Sequence, residues 1–172
     1  FSPGIISVWG SKFNDTISGT NNPFGTVEVF VGFAGDDTID GRGGFDRIDY
    51  NQDPTTTTGL NINLASGTIT GDASIGTDTL RSIEAIRGTN FADTYNAQGF
   101  SGTSANAGSF GTFNEFTGNG GNDTIIGNGN TRISFNNATA GVTVDLQTNG
   151  TTPHTGTPVA PASVSTRRAL RV

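Results

Sequence analysis

Apolar residues in this chain fall in short alternating runs separated by glycine-rich polar segments. In 27–31 the valines alternate with Glu28 and Phe30, and in 60–64 leucine and isoleucine alternate with asparagine. A period of two is typical of β-strands. The pattern therefore predicts strands at 27–31 and 60–64, with turns between them.

A third apolar run, 79–86, has a different spacing. Leu80, Ile83 and Ile86 recur every three residues, which is compatible with one helical turn. Glycines flank the run, however, and the neighbouring segments have strand character. We therefore expect a bent strand here.

The segment 32–50 contains two nine-residue units laid end to end. Gly35 and Gly44 are nine residues apart, and so are Asp37 and Asp46. In each unit glycines come first, the aspartate follows, and one isoleucine stands two positions later. Glycine accepts positive φ, so such a loop can turn its carbonyl groups toward one point. Carboxylate and carbonyl oxygens are the ligands of a hard cation such as Ca²⁺, which takes six to eight of them.

These units match G-G-x-G-x-D-x-U-x, and the chain resembles the RTX (repeats-in-toxin), or hemolysin-type, family of calcium-binding nonapeptide repeats over about residues 10–150. The resemblance implies an all-β parallel β-roll or β-solenoid with glycine-rich calcium-binding turns. It also implies a secreted, extracellular bacterial protein exported by type I secretion, with Ca²⁺ as its cofactor. The implied metal-binding residues are Asp15, Gly32, Ala34, Gly35, Asp37, Gly41, Gly43, Gly44, Asp46, Asp78, Asp93, Gly118, Gly120, Gly121 and Asp123.

The aspartates also have an alternative role. Aspartate in a glycine-rich loop often caps the turn through its own side chain. Asp15, Asp78 and Asp93 lack most of the motif glycines, so for these three residues capping and metal binding remain equal alternatives.

The repeat is itself duplicated. Asp93 follows Asp15 by 78 residues and Asp123 follows Asp37 by 86, with the eight extra residues in the loop before the second copy's strand. We predict one duplicated domain over 1–152, with copies at about 10–87 and 88–152 that share a continuous core. Residues 153–172 break the repeat and are expected to form an irregular or flexible tail.

Alternation of the loops between two edges predicts which aspartates meet. Loops two half-turns apart would stack, giving cation sites at Asp15/Asp37, Asp46/Asp78 and Asp93/Asp123. The loop at 127–132 has lost its aspartate and contains Arg132, so we expect no metal there.

The composition disfavours several classes of protein. Only 32% of residues are hydrophobic and 14% charged, the net charge is −6, and Gly numbers 26. An acidic chain disfavours nucleic acid and anionic membranes as partners. No Cys is present for a disulfide or thiolate site, and no apolar run is long enough to span a bilayer. The chain starts at Phe1 and has no Met, so we expect a fragment or processed product.

Enzyme chemistry finds little support in the residues. His154 is the only histidine and lies in the predicted tail, which disfavours a catalytic triad or histidine zinc site. Glu28, Glu84 and Glu115 could serve as glycosidase carboxylates. Glu28 and Glu115, however, read as duplicates at outward-facing strand positions.

The sequence therefore predicts a non-enzymatic calcium-binding module that folds on binding Ca²⁺, as a spacer, stalk or secretion segment. One alternative is an adhesin or a face that binds a glycan or cell surface. Another is the non-catalytic repeat region of an RTX enzyme. The oligomeric state stays open.

Overall fold

A computed structural model describes residues 6–21, 27–138, 143–145 and 163–168. This described part is all-β, as predicted, and contains no helix; consequently no helix there could cross a membrane. The strands are β1 Ile6–Trp9, β2 Thr16–Ser18, β3 Val27–Val31, β4 Thr38–Asp40, β5 Phe45–Asp49, β6 Asn61–Asn63, β7 Thr68–Thr70, β8 Thr77–Arg81, β9 Ala85–Arg87, β10 Thr94–Asn96, β11 Asn114–Thr117, β12 Thr124–Gly127, β13 Thr131–Ser134, β14 Thr143–Asp145 and β15 Ser163–Arg168.

The described strands form two sheets. One has the order β1-β3-β5-β9-β11-β13 and the other β14-β15-β12-β10-β6-β7-β8-β4-β2. Pairing is parallel throughout the first sheet, and in the second it is antiparallel only where β7 pairs with β6 and β8. From β1 to β5, and again from β8 to β13, successive strands alternate between the sheets.

The core is built from columns of apolar side chains in register. In the six-stranded sheet Phe30 pairs with Ile48, which pairs with Ile86, and the column continues to Phe116 and Ile133. In the other sheet Ile17, Ile39 and Leu80 form one column, and Ile62, Tyr95 and Ile125 another. Most of these side chains belong to one buried cluster. Each short strand therefore contributes little more than one buried apolar side chain. Full burial of such a side chain stabilises the fold by about 1.5–3 kcal/mol.

The predicted strands at 27–31 and 60–64 are confirmed as β3 and β6. The run 79–86 does not form one bent strand: Ser82 adopts φ +52°, and the chain divides into β8 and β9, which lie in different sheets. Within the tail predicted as irregular, the structure places β15, which pairs with β12 and β14. The predicted boundary at residues 152 and 153 lies outside the described residues.

The antiparallel strand β7 adds one reversal of chain direction that the sequence did not predict. After β6 the chain turns at 64–67, returns along β7 and enters β8 in the same sheet. Because of this extra reversal, β8 begins at the same edge as β4 and pairs with it directly.

Asp72 joins the two loops at the ends of this hairpin. Its carboxylate accepts hydrogen bonds from the backbone N–H and hydroxyl of Thr57, the N–H of Thr58, and the N–H and hydroxyl of Ser74. These donors lower the pKa of Asp72, those of Ser74 most strongly.

We predict that Asp72→Asn lowers the free energy of unfolding by about 1 kcal/mol at pH 7, discounted for solvent exposure. A depressed carboxyl pKa stabilises the fold above the ordinary pKa, so the deficit should shrink as pH falls below about 4. Urea unfolding of the wild type and the variant at several pH values measures this difference in the free energy of unfolding. Asp53→Asn is the control, because Asp53 accepts only from Thr55 in its own turn. An equal loss in both variants would contradict the joining role.

Candidate metal centre

Acidic side chains lie at the starts of strands, in two columns. Strands of the nine-stranded sheet, apart from β7, begin at what we call the first edge, which carries Asp15, Asp37, Asp78, Asp93 and Asp123. Strands of the six-stranded sheet begin at the second edge, where equivalent positions carry Glu28, Asp46, Glu84 and Asn114. All of these residues except Asp15 are buried.

On the first edge the aspartates bond to one another's backbone. The N–H of Asp15 donates to Asp37 Oδ1 at 2.8 Å, and that of Asp37 donates to Asp78 Oδ1 at 3.0 Å. In the second copy the N–H of Asp93 donates to Asp123 Oδ1 at 3.0 Å. Each carboxylate therefore fixes the loop of the neighbouring strand.

The structure brings together two of the three predicted pairs, Asp15/Asp37 and Asp93/Asp123. The pairing of Asp46 with Asp78 is wrong. Asp78 stacks on Asp37 at the first edge, because β7 reverses the chain once more than the half-turn count allowed. Asp46 instead lies beside Glu84 at the second edge.

Two loops, 10–15 and 88–93, satisfy their own aspartate, and we call them capped loops. Ser11 donates its N–H and hydroxyl to Asp15. Thr89 does the same for Asp93, at 3.0 and 2.9 Å. For Asp15 and Asp93 the turn-capping role is thus observed, with all four carboxylate oxygens provided with a donor.

Asp78 is satisfied in another way. Its Oδ1 accepts from Asp37 and its Oδ2 accepts from the buried hydroxyl of Tyr50 at 2.8 Å. Burial raises the pKa of Asp78 to about 7. Each carboxylate oxygen of Asp78 therefore already accepts a hydrogen bond from the chain itself.

Three loops, 32–37, 41–46 and 118–123, lack the hydroxyl residue, and we call them uncapped loops. At the position of Ser11 they carry Phe33, Arg42 and Asn119, each with φ between +63° and +68°. Two positions later Gly35, Gly44 and Gly121 also adopt positive φ. Ala34, Gly43 and Gly120 stand between these two turning positions.

The aspartates of the uncapped loops have buried oxygens without hydrogen-bond partners. These oxygens are Oδ2 of Asp37, both carboxylate oxygens of Asp46, and Oδ2 of Asp123. Each Oδ2 packs over the first glycine of its loop, so a Cβ at Gly32, Gly41 or Gly118 would collide with it. The invariant spacing of five residues from glycine to aspartate thus seats the carboxylate.

Burial dominates the electrostatics of these groups. It raises the pKa of Asp37, and it raises those of Asp46 and Asp123 to about 7. A contrasting buried carboxylate is Asp49, which forms ion pairs with Arg47 and Arg87 at 2.6 and 3.2 Å. Unlike Asp49, the uncapped aspartates form no ion pair among the described residues.

The second edge contains a carboxylate, that of Glu28, for which the sequence predicts an outward-facing position. Glu28 is only 2% exposed, and it accepts the N–H and hydroxyl of Thr20 at 2.8 Å each. The prediction that Glu28 faces outward and is equivalent to Glu115 is therefore wrong. Glu115 is one position further along its strand, opposite Ala85, and pairs with Arg132. A spacing of nine from Glu28 to Asp37 and again to Asp46 would have revealed Glu28.

Amides replace carboxylates at the end of the second edge. Asn114 accepts from Tyr95 and donates to Thr112 and to Asn128, which itself donates to Thr112. This part of the edge is satisfied by the chain's own groups, and Arg132 is engaged by Glu115. The absence of metal from loop 127–132 stays a prediction.

Within the described residues, no three Asp, Glu or His side chains converge on one point as a ready metal cluster. A cation at an uncapped loop would therefore take one or two carboxylates and complete its shell with backbone carbonyls, a donor set that Ca²⁺ accepts. The uncapped aspartates, which have oxygens without a donor, fit this requirement, whereas each oxygen of the capped aspartates already accepts a hydrogen bond. A scan against models of known protein families finds no match for this chain, and a search of curated proteins finds none either.

We predict that Thr89→Val lowers the free energy of unfolding by about 1–3 kcal/mol, equally with calcium and with chelator. The variant removes the hydroxyl that donates to Asp93 and accepts from Phe91, while it keeps the β-branched shape. Urea unfolding is the measurement. Thr94→Val, at an exposed strand position, should stay within about 0.5 kcal/mol of the wild type. A Thr89 variant as stable as this control would contradict the capping role.

Proposed function

We propose that this chain is a calcium-binding structural module of a secreted bacterial protein, built as a parallel β-solenoid or β-roll. The observation that carries the proposal is the set of buried, unpartnered carboxylate oxygens in the three uncapped loops. Calcium is the ion that would neutralise them. The role is mechanical: the module folds on binding Ca²⁺ and serves as a spacer, stalk or secretion-linked segment, without catalysis.

The arrangement of strands supports the solenoid. Strands from the two sheets alternate along most of the chain, equivalent residues stack in register, and the loops between them fall on two edges. Short strands with one anchor each depend on their neighbours for burial, which is the behaviour of stacked repeats.

The free-energy cost of burying unpaired carboxylates indicates why the fold would need an ion. An uncompensated buried carboxylate costs several kcal/mol, whereas a whole domain is stable by about 5–15 kcal/mol. Three uncapped loops would therefore consume much of the available stability when they carry their charges without an ion. Calcium at one hundred times its dissociation constant adds about 2.7 kcal/mol per site.

This linkage suits an exported protein. In a cytoplasm poor in calcium the charged loops would oppose folding, and outside the cell binding would drive it, because only the native state offers complete sites. A non-catalytic repeat region of a larger enzyme would behave in the same way.

A binding module on the same solenoid is the second candidate. Phe13 and Phe91 occupy the same position of the two capped loops and are 78% and 39% exposed, and Trp9 is 60% exposed. Exposed aromatic rings are suited to contacts with sugars or proteins. A glycan array probed with the wild type and with Phe13→Ser tests it; equal or absent signals would exclude this role.

We predict that Asp37→Asn and Asp123→Asn each reduce the calcium-dependent rise in melting temperature, while in chelator they melt at or above the wild-type temperature. Asparagine keeps an oxygen to accept the neighbouring N–H and removes the buried charge, so the variant loses the ion and also the cost of its absence. Thermal unfolding by circular dichroism, with calcium and with chelator, provides both values.

Asp36→Asn is the matched control for Asp37→Asn, because it makes the same change at the adjacent residue. The carboxylate of Asp36 is exposed and accepts a hydrogen bond from the N–H of Thr77. It should respond to calcium as the wild type does. A wild-type protein whose β spectrum and melting temperature ignore chelation would contradict the proposed function.

A further inference from the structure

Two acidic residues lie side by side on the second edge, with no ion-pair partner among the described residues. Asp46 is 0% exposed and Glu84 is 4% exposed. Two hydrogen bonds join them: the backbone N–H of Asp46 donates to the side-chain Oε2 of Glu84 at 2.9 Å, and the backbone N–H of Glu84 donates to the carbonyl of Asp46 at 3.1 Å. The two residues are thus held as neighbours on adjacent strands.

Three of their four carboxylate oxygens lack hydrogen-bond partners. They are Oδ1 and Oδ2 of Asp46 and Oε1 of Glu84. Neither residue forms an ion pair within the described chain, although Asp49, three residues from Asp46, is paired with two arginines. Burial raises the pKa values of both carboxyl groups, and it outweighs the backbone N–H groups of Glu28 and Ser109, which lower the pKa values of Asp46 and Glu84 respectively. Neighbouring like charges destabilise each other, and a cation between them would remove that cost.

Backbone oxygens and close packing complete the arrangement. The carbonyl of Ser82 and Oδ2 of Asp46 both lie where a side chain on Gly41 would project, at 2.4 and 2.6 Å from its ideal Cβ position. Ser82 has φ +52°, a conformation that turns its peptide groups away from the ordinary strand course. Because Gly41 has no side chain, the Ser82 carbonyl oxygen and Asp46 Oδ2 can both lie on the same side of its backbone.

A loop from the second copy covers the pair. Asn106 donates to the carbonyl of Ile83 and accepts its N–H, which fixes the residue before Glu84. Gly108 packs directly on Glu84 Oε1, and no larger residue would fit there. The covering residues lie in the long loop before β11, where the second copy has its eight extra residues.

From this geometry we infer a second type of cation site, formed by Asp46 and Glu84, that takes one hard divalent cation such as Ca²⁺. Two carboxylates balance the ion's charge, and the Ser82 carbonyl is a further ligand of the kind such ions accept. Glu84 directly precedes β9 and does not belong to a glycine motif. The inference rests on the proposed function, since Asp46 also ends an uncapped loop, and adds a ligand that this function does not require.

Glu28, the third acidic residue of this edge, is not part of the site. Both of its oxygens are satisfied by Thr20. It contributes negative charge only, and replacing it should leave the number of bound ions unchanged.

Equilibrium dialysis of the full chain against radioactive calcium counts the bound ions. We expect Glu84→Gln to bind one calcium ion fewer than the wild type at saturation, because glutamine keeps an acceptor for the N–H of Asp46 but lacks the charge. Glu115→Gln is the control: it removes the same charge from the next strand, where Glu115 is paired with Arg132. Its calcium count should equal that of the wild type.

The fluorescence of Trp9 distinguishes calcium binding at the first edge from calcium binding at this site. Its ring contacts Phe33 of loop 32–37 at 5.6 Å between centroids, so its fluorescence should respond to calcium at that loop. In Glu84→Gln this response should persist while the count falls by one, and Glu84→Asn, whose shorter side chain still fits beneath Gly108, should give the same result if Glu84→Gln does not fold. An unchanged count in the folded variants would overturn the inference and leave the proposed function intact. A wild type that binds no calcium would overturn both.

Discussion

The carboxylate at the start of many of the strands, buried in all cases but Asp15, is the interaction on which this architecture depends. Strands of three to six residues offer little more than one buried apolar side chain each, so the loops need a second means of holding their shape. A carboxylate folded back over the loop's first glycine supplies it, and the same group accepts the N–H of the neighbouring strand. Register and loop conformation therefore follow from one side chain, at the cost of removing a charge from water.

The chain meets that cost in different ways along its length. Asp15, Asp93 and Glu28 are satisfied by a serine or threonine that directly follows a glycine. Asp78 uses a tyrosine hydroxyl, and Asp49 uses two arginines. Asp37, Asp46, Glu84 and Asp123 retain oxygens with no partner. Since several kcal/mol per group would compete with the stability of the entire fold, the last set is where an external cation would have the largest effect.

Much of this arrangement was predictable from the sequence, because the nine-residue period places glycine, aspartate and isoleucine at set positions. The all-β class, the strands at 27–31 and 60–64, and two aspartate pairs follow from that period. The antiparallel strand β7 did not, because the Gly/Ser/Thr-rich segment around it has no period, and one extra reversal moved Asp78 to the other edge. Glu84 lies outside any motif and is brought to Asp46 only by the tertiary fold, whereas the distinction between capped and uncapped loops is readable from the residue after the first glycine.

The most direct test of the account is the anomalous diffraction signal of crystals grown with calcium. Calcium density should appear beside Asp37 and Asp123 at the first edge and between Asp46 and Glu84 at the second, with none beside the capped Asp15–Ser11 and Asp93–Thr89 pairs. Crystals grown with calcium whose uncapped carboxylates carry no anomalous density, and bond only to water or protein donors, would contradict it.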